Sequence, residues 1–372
     1  MLFAIAEAGA GAGGSRAWFG HVGASMTPGR PEPVPHVVLH GGDLDAARAR
    51  FPGAPEPWMD LSTGITPEPY PLPELPPHVW SRLPLRSDEV RLQQAAARRY
   101  GAASPEAVVC APGTQAIIQV VPRLVARTRV AVLGPTYGEH AAAWRQAGHD
   151  VVEVSDLDAA GQVVVVVNPD NPTGRIVPAE TLREVAMRLD AAGGLLVVDE
   201  AFADVAVAGT SVVPDLPPST VVLRSFGKMY GLAGVRLGFA IAQDETAQRI
   251  REALGPWAVS GPALGIGAAA LADDAWIQAS LARLDQAAAR LDDVLVRSGC
   301  TVLGGTSLFR LVQHAEAARI ADALGHDGIL VRQFSYAPAW LRFGLPGSEA
   351  AWARLERALA MACRAEGVHA SS

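Results

Sequence analysis

From about residue 105 the chain alternates two kinds of stretch. Short, largely apolar runs are "AVVC" (107–110), "RVAVL" (129–133), "VVVVV" (163–167), "GLLVVD" (194–199), "TVVLRS" (220–225) and "LGFAI" (237–241). Between them lie longer segments such as "ETLREVAMRLDAAG", whose apolar residues recur at helical spacing. Runs without a polar face are strands covered on both sides, and the amphipathic segments are the helices that cover them. The pattern predicts an α/β fold with a mainly parallel sheet. "LGFAI" follows its predecessor closely enough to predict one antiparallel strand.

"GPWAVSGPALG" (255–265) punctuates the chain. Beyond it, "ADDAWIQASLARLDQAAARLDDVLVRSG" carries an apolar stripe at helix period. The strand-like "SLFRLV" and "WLRFGL" follow, then a last helix from about Ser348. This predicts a second, smaller α+β domain. We expect an arm at 1–35, a leading segment at 36–60 packed on the small domain, a large domain at 61–255 and the small domain at 256–372.

Composition narrows the function. The chain has 372 residues, is 49% apolar and contains 28 Pro and 37 Gly, which suits a large folded protein. A net charge of −7, with no basic cluster along a face, argues against nucleic acid as a partner. Cys110, Cys300 and Cys363 are odd in number and lack ligand spacing, so neither a disulfide framework nor a metal site is expected. No apolar run is long enough to span a membrane. The opening "MLFAIAEAGAGAGGSRAWFG" lacks the basic start of a signal peptide, so the expected compartment is the cytoplasm. The first 35 residues read as a flexible Gly/Ala/Pro-rich arm, with Met26 as an alternative start.

In an open parallel sheet, ligands bind beyond the carboxyl ends of the strands, and five runs here lead into unusual polar sequences. "AVVC" leads to Gly113-Thr114-Gln115 at the start of a helical stretch, where free backbone N–H groups can seat a phosphate. "RVAVL" leads to Tyr137, either an aromatic plate or a packing ring. "VVVVV" leads to "NPDNPTG", a stiff loop that can aim the amide of Asn171. "GLLVV" ends in Asp199, a carboxylate that needs a cationic partner, which could be an internal arginine. "TVVLR" delivers Ser225, then Lys228 and Arg236.

Lys228 is the one lysine among 31 Lys and Arg residues. An ordinary solvated cation could be either type. A retained lysine points to a task that arginine cannot perform, which is to lose its proton and attack a carbonyl carbon. A phosphate seat, an aromatic plate, an amide, a buried acid and a nucleophilic amine together suit a flat phosphorylated aldehyde with a ring nitrogen. Pyridoxal 5'-phosphate has each of these features.

The ordered set "PGT…PTY…NPDNPTG…DEAF…SFGK…R" resembles the fold-type-I pyridoxal-phosphate enzymes, in the branch of histidinol-phosphate aminotransferases and threonine-phosphate decarboxylases. The resemblance covers residues 36 to 362. It implies a seven-stranded, aspartate-aminotransferase-like large domain and a homodimer. It also implies that Lys228 holds the cofactor covalently, that Asp199 pairs with the pyridine nitrogen and that Asn171 bonds the ring oxygen. Tyr137 would stack on the ring, while Gly113, Thr114, Gln115, Ser225 and Arg236 would surround the phosphate. Arg342 would anchor a substrate α-carboxylate through a bidentate fork. Two positions depart from the pattern. Phe202 replaces a tyrosine that reaches the ring oxygen, and Leu83 replaces one that reaches the neighbouring subunit's cofactor.

His40-Gly41-Gly42-Asp43 ahead of "MDLSTGITP", together with "DEAF", "PWAVS" and "GILVRQFSYAP", resembles the threonine-phosphate decarboxylases of cobalamin biosynthesis. Backbone at Gly41 and Gly42 could approach a substrate phosphate, with His40 and Arg332 as donors; a capping or packing histidine is the plainer role for His40. The expected partner is therefore a small phosphorylated amino acid. Aminotransfer on histidinol phosphate, or a non-catalytic protein on this fold, are the alternatives at this point.

Overall fold

The structure is a computed structural model, and it describes residues 41–158 and 161–364. Its strands are β1 (Met59–Asp60), β2 (Val108–Ala111), β3 (Arg129–Leu133), β4 (Asp150–Val154), β5 (Val163–Val167), β6 (Leu195–Asp199) and β7 (Thr220–Ser225). They continue with β8 (Gly238–Ala242), β9 (Thr301–Thr306), β10 (Phe309–Gln313), β11 (Ile329–Leu330), β12 (Arg332–Gln333) and β13 (Trp340–Gly344).

Seven of these form one sheet in the order β2-β8-β7-β6-β5-β3-β4. The pairs from β7 through β6, β5 and β3 to β4 are parallel. β8 runs antiparallel to both β7 and β2, so the expected antiparallel strand is present. The valine run of β5 shows why such strands lack a polar face. Val164 and Val166 enter one core layer with Leu182 and Val185. Val163 and Val165 enter the opposite layer with Ile117 and Trp144. Alternate side chains point to opposite faces, and both faces are covered. In the helix Ala179–Ala191, Leu182, Val185, Ala186 and Leu189 are buried, which is the expected stripe.

A second sheet, β12-β13-β10-β9, is antiparallel throughout. It packs against the long helix Asp274–Arg297. β1 pairs in parallel with β11, and Gly344 N donates to Leu61 O at 2.7 Å. These contacts bring the 59–63 segment against the strand that carries Arg342. β4 and β9 were not among the runs read as strands. No described helix is long and apolar enough to cross a membrane.

Candidate active site

The site forms where β5, β6 and β7 end. Asp199 is the last residue of β6 and Ser225 the last of β7, and both are buried. Lys228 follows in the short helix Phe226–Met229. Its carbonyl accepts from Thr66 N at 3.0 Å, which ties this turn to the 66–70 segment. Gly113, Thr114, Gln115, Tyr137, Asn171, Asp199, Ser225, Lys228 and Arg236 all line one pocket, with Phe202 in its wall. Residues from Gly113 to Arg236, far apart in sequence, thus meet at one sheet edge.

The turn at Gly113 is shaped for close approach. Its φ is +85°, a conformation glycine adopts freely, and a Cβ there would lie 2.8 Å from Arg236 Nη2. A Cβ on Gly238 would lie 2.5 Å from Thr114 N. The two glycines keep open a cradle between the start of the helix Thr114–Val120 and the Arg236 guanidinium. That cradle fits a phosphate group. Tyr137 Oη donates to Gln115 Oε1 at 3.5 Å, and Gln115 Nε2 donates to Glu139 Oε2 at 2.5 Å, which holds the aromatic ring at the pocket wall.

Asp199 has the partner its burial requires, and that partner is His140 rather than an arginine. His140 Nε2 lies 2.8 Å from Asp199 Oδ2, and Ala201 N donates to Oδ1 at 3.0 Å. Both side chains are almost wholly buried. Sequence reasoning missed His140. The available signal was a histidine one turn beyond Tyr137, in a helix leaving the same sheet edge.

Lys228 has an amine held down to about 8. Burial is the main cause, and the neighbouring Arg342 guanidinium adds to it while Asp199 opposes it. The amine is therefore protonated well below pH 8 and free to attack a carbonyl above it. The rate at which cofactor-free protein takes up pyridoxal phosphate should rise with pH and level off near 8. Stopped-flow absorbance measures this; a bend near the ordinary lysine value of 10.5 would contradict the burial argument.

Arg342 Nη1 donates to Asn171 Oδ1, and Nη2 donates to Ser62 O at 2.5 Å. The first bond turns the Asn171 amide so that Nδ2 is its remaining donor. Arg342 is buried, its Nε has no hydrogen-bond partner among the described residues, and burial followed by Arg332 pulls its pKa down to about 10. Arg332 stands directly opposite Arg342 in the β12–β13 register. Like charges placed across a strand pair are unfavourable, so the pair is suited to a ligand with more than one negative charge.

Gly41 and Gly42 lie beside this arginine. Gly42 N donates to Ser62 Oγ at 2.7 Å, and a Cβ on Gly41 would lie 2.5 Å from Ser62 O, the atom Arg342 holds. His40 lies outside the described residues. Ser62 had no sequence signal, because its carbonyl oxygen makes the contact. Phe202 packs edge-on against Phe309 with ring centroids 5.1 Å apart, and its ring centroid lies 5.7 Å from Lys228 Nζ. Leu83 is exposed.

A half-buried lysine and a buried carboxylate at the carboxyl edge of this sheet define a fold-type-I arrangement. Residues 85–359 match the model of the aminotransferase class I and II family, and the chain belongs to that family. Its curated relatives include a threonine-phosphate decarboxylase from Pseudomonas aeruginosa, 45% identical over 87% of this chain and 97% of the relative. Another of that name, from Sinorhizobium sp., is 45% identical over 87% of this chain and 98% of the relative. Among solved structures, a histidinol-phosphate aminotransferase from Sinorhizobium meliloti in complex with pyridoxal-5'-phosphate shares the fold. Its TM-score is 0.75 at 22% identity, covering 91% of this chain and 99% of that one.

Proposed function

We propose that this chain decarboxylates L-threonine O-3-phosphate to (R)-1-amino-2-propanol O-2-phosphate in cobalamin biosynthesis, with pyridoxal 5'-phosphate as cofactor. Relatives at 45% identity over most of the chain carry the name of that activity. The structural observation that carries the reading is the facing pair Arg332 and Arg342 beside the Lys228 pocket. Such a pair suits a short substrate with an anion at each end.

When bound, the cofactor supplies an electron sink for the pair released as the Cα–carboxylate bond breaks. The cradle of Gly113, Thr114, Ser225 and Arg236 would hold its phosphate, and Asn171 Nδ2 would be the donor for its ring oxygen. The Asp199 carboxylate, fixed by His140 and Ala201 N, would keep a proton on the ring nitrogen. Arg342 takes the substrate carboxylate. An ion pair also stabilises the group that must leave, so the gain from Arg342 is direction. A guanidinium held by Asn171 and Ser62 O would fix the direction of the carboxylate it binds. Once CO₂ has left, Cα needs one proton. Lys228 Nζ, with a pKa of about 8, can return it.

Arg332 and the Gly41-Gly42 segment receive the substrate phosphate in this reading. Unphosphorylated threonine forgoes the charge-assisted contacts at that end, at a cost of about 2–5 kcal/mol, or roughly 30-fold to several thousand-fold in kcat/KM. Steady-state kinetics on both compounds checks this. Equal kcat/KM values would remove the phosphate clamp from the account.

A further inference from the structure

Behind the pocket lies a buried ionic cluster that the chemistry described above does not use. Neighbouring strand residues point to opposite faces. Asp199 and Ser225 face the pocket, while Glu200 and Arg224 face away from it. Arg224 Nη1 donates to Glu200 Oε2 at 2.9 Å, and Nη2 donates to Asp204 Oδ1 at 2.6 Å. Its guanidinium carbon sits 4.3 Å from the centroid of the Tyr100 ring. Glu200 also accepts from Ser211 Oγ at 2.6 Å and Val212 N at 3.0 Å. Arg224, Glu200 and Asp204 are all buried.

The fork spans the segment that shapes the site. Glu200 and Asp204 flank Phe202, the pocket-wall ring that faces Lys228. Arg224 immediately precedes Ser225 and lies four residues before Lys228. One side chain therefore joins the acid-bearing end of β6 to the lysine-bearing end of β7. The main chain reinforces the joint, with Glu200 N donating to Leu223 O at 2.9 Å.

We propose that Arg224 is a positioning residue that clamps the ends of β6 and β7 through Glu200 and Asp204, fixing the separation of Asp199, Phe202 and Lys228. The proposal rests on the reading of this pocket as the cofactor site. Lysine at 224 keeps the charge, but its single ammonium cannot reproduce a planar fork to two carboxylates. Arg224→Lys should therefore loosen the pocket wall without touching the substrate arginines, which stand on the other sheet.

The test uses Arg224→Lys and, as a milder companion that preserves shape, Glu200→Gln. In cofactor-free protein, amide hydrogen exchange over residues 199–205 and 225–230 should accelerate by about tenfold or more, with β9–β13 unchanged. In loaded protein, kcat on threonine phosphate should fall by about tenfold or more with KM moving less than about threefold. Wild-type kcat and local exchange in both variants would overturn the proposal. So would exchange that speeds up equally in both sheets, which is the mark of a merely structural ion pair. Failure of the wild-type protein to bind pyridoxal phosphate would instead overturn the reading of the pocket, because the exchange measurement judges the clamp without cofactor.

Discussion

Lys228→Arg abolishes turnover, with an expected loss on the order of 10⁵-fold or more, comparable to deleting a covalent nucleophile. The substitution preserves positive charge in the same half-buried position, between the Phe202 ring and the field of Arg342 and Arg236. It removes only the ability to lose a proton near neutral pH, since a guanidinium stays protonated in proteins. Borohydride reduction of the loaded wild-type protein, followed by peptide mass spectrometry, should place the pyridoxyl group on residue 228. The variant should carry none. A wild-type label on another residue, or turnover retained in Lys228→Arg, would mean that the nucleophile lies elsewhere.

Asp199→Asn should cost on the order of 10³-fold or more in kcat, as expected for removing a preorganised charge at the centre of reaction. The geometry makes this variant informative. An asparagine can keep the bond from Ala201 N through its Oδ1, so the side chain retains its direction. The negative charge beside His140 is what disappears. Rate constants measured at saturating cofactor separate this effect from weakened binding. Near-normal kcat would show that the acid has been misassigned.

The sequence made the central strands legible because they are covered on both faces. The runs at 129–133, 163–167 and 220–225 coincide with β3, β5 and β7. β4 escaped because it is an edge strand with no fully buried position, where Asp150 and Glu153 are exposed and the apolar run is broken. β9 escaped because "TVLGGT" carries two glycines and only one fully buried position. The glycines have a packing reason, since Cβ atoms there would run into Thr173 O and Phe309 O.

The pocket-lining residues were legible for a related reason. They follow strand ends, where polar residues interrupt apolar runs. Their partners were not. His140 lies 59 positions from Asp199, and the sequence shows no pairing between the ends of strands that are not adjacent in the chain. The oxygen of Ser62 that holds Arg342 is a main-chain atom 280 positions away, so no side-chain type announces it. Arg224 and Glu200 are visible as charges, but their mutual contact depends on which face of each strand turns inward.

The most direct measurement follows the carboxylate itself. The cofactor-loaded protein is given L-threonine O-3-phosphate labelled at the carboxylate carbon, with and without 2-oxoglutarate, and CO₂, amine product and glutamate are quantified. A decarboxylase forms one labelled CO₂ for each aminopropanol phosphate, at a rate independent of 2-oxoglutarate, and that is the expected result. Glutamate formed without release of labelled CO₂ would contradict it and identify an aminotransferase.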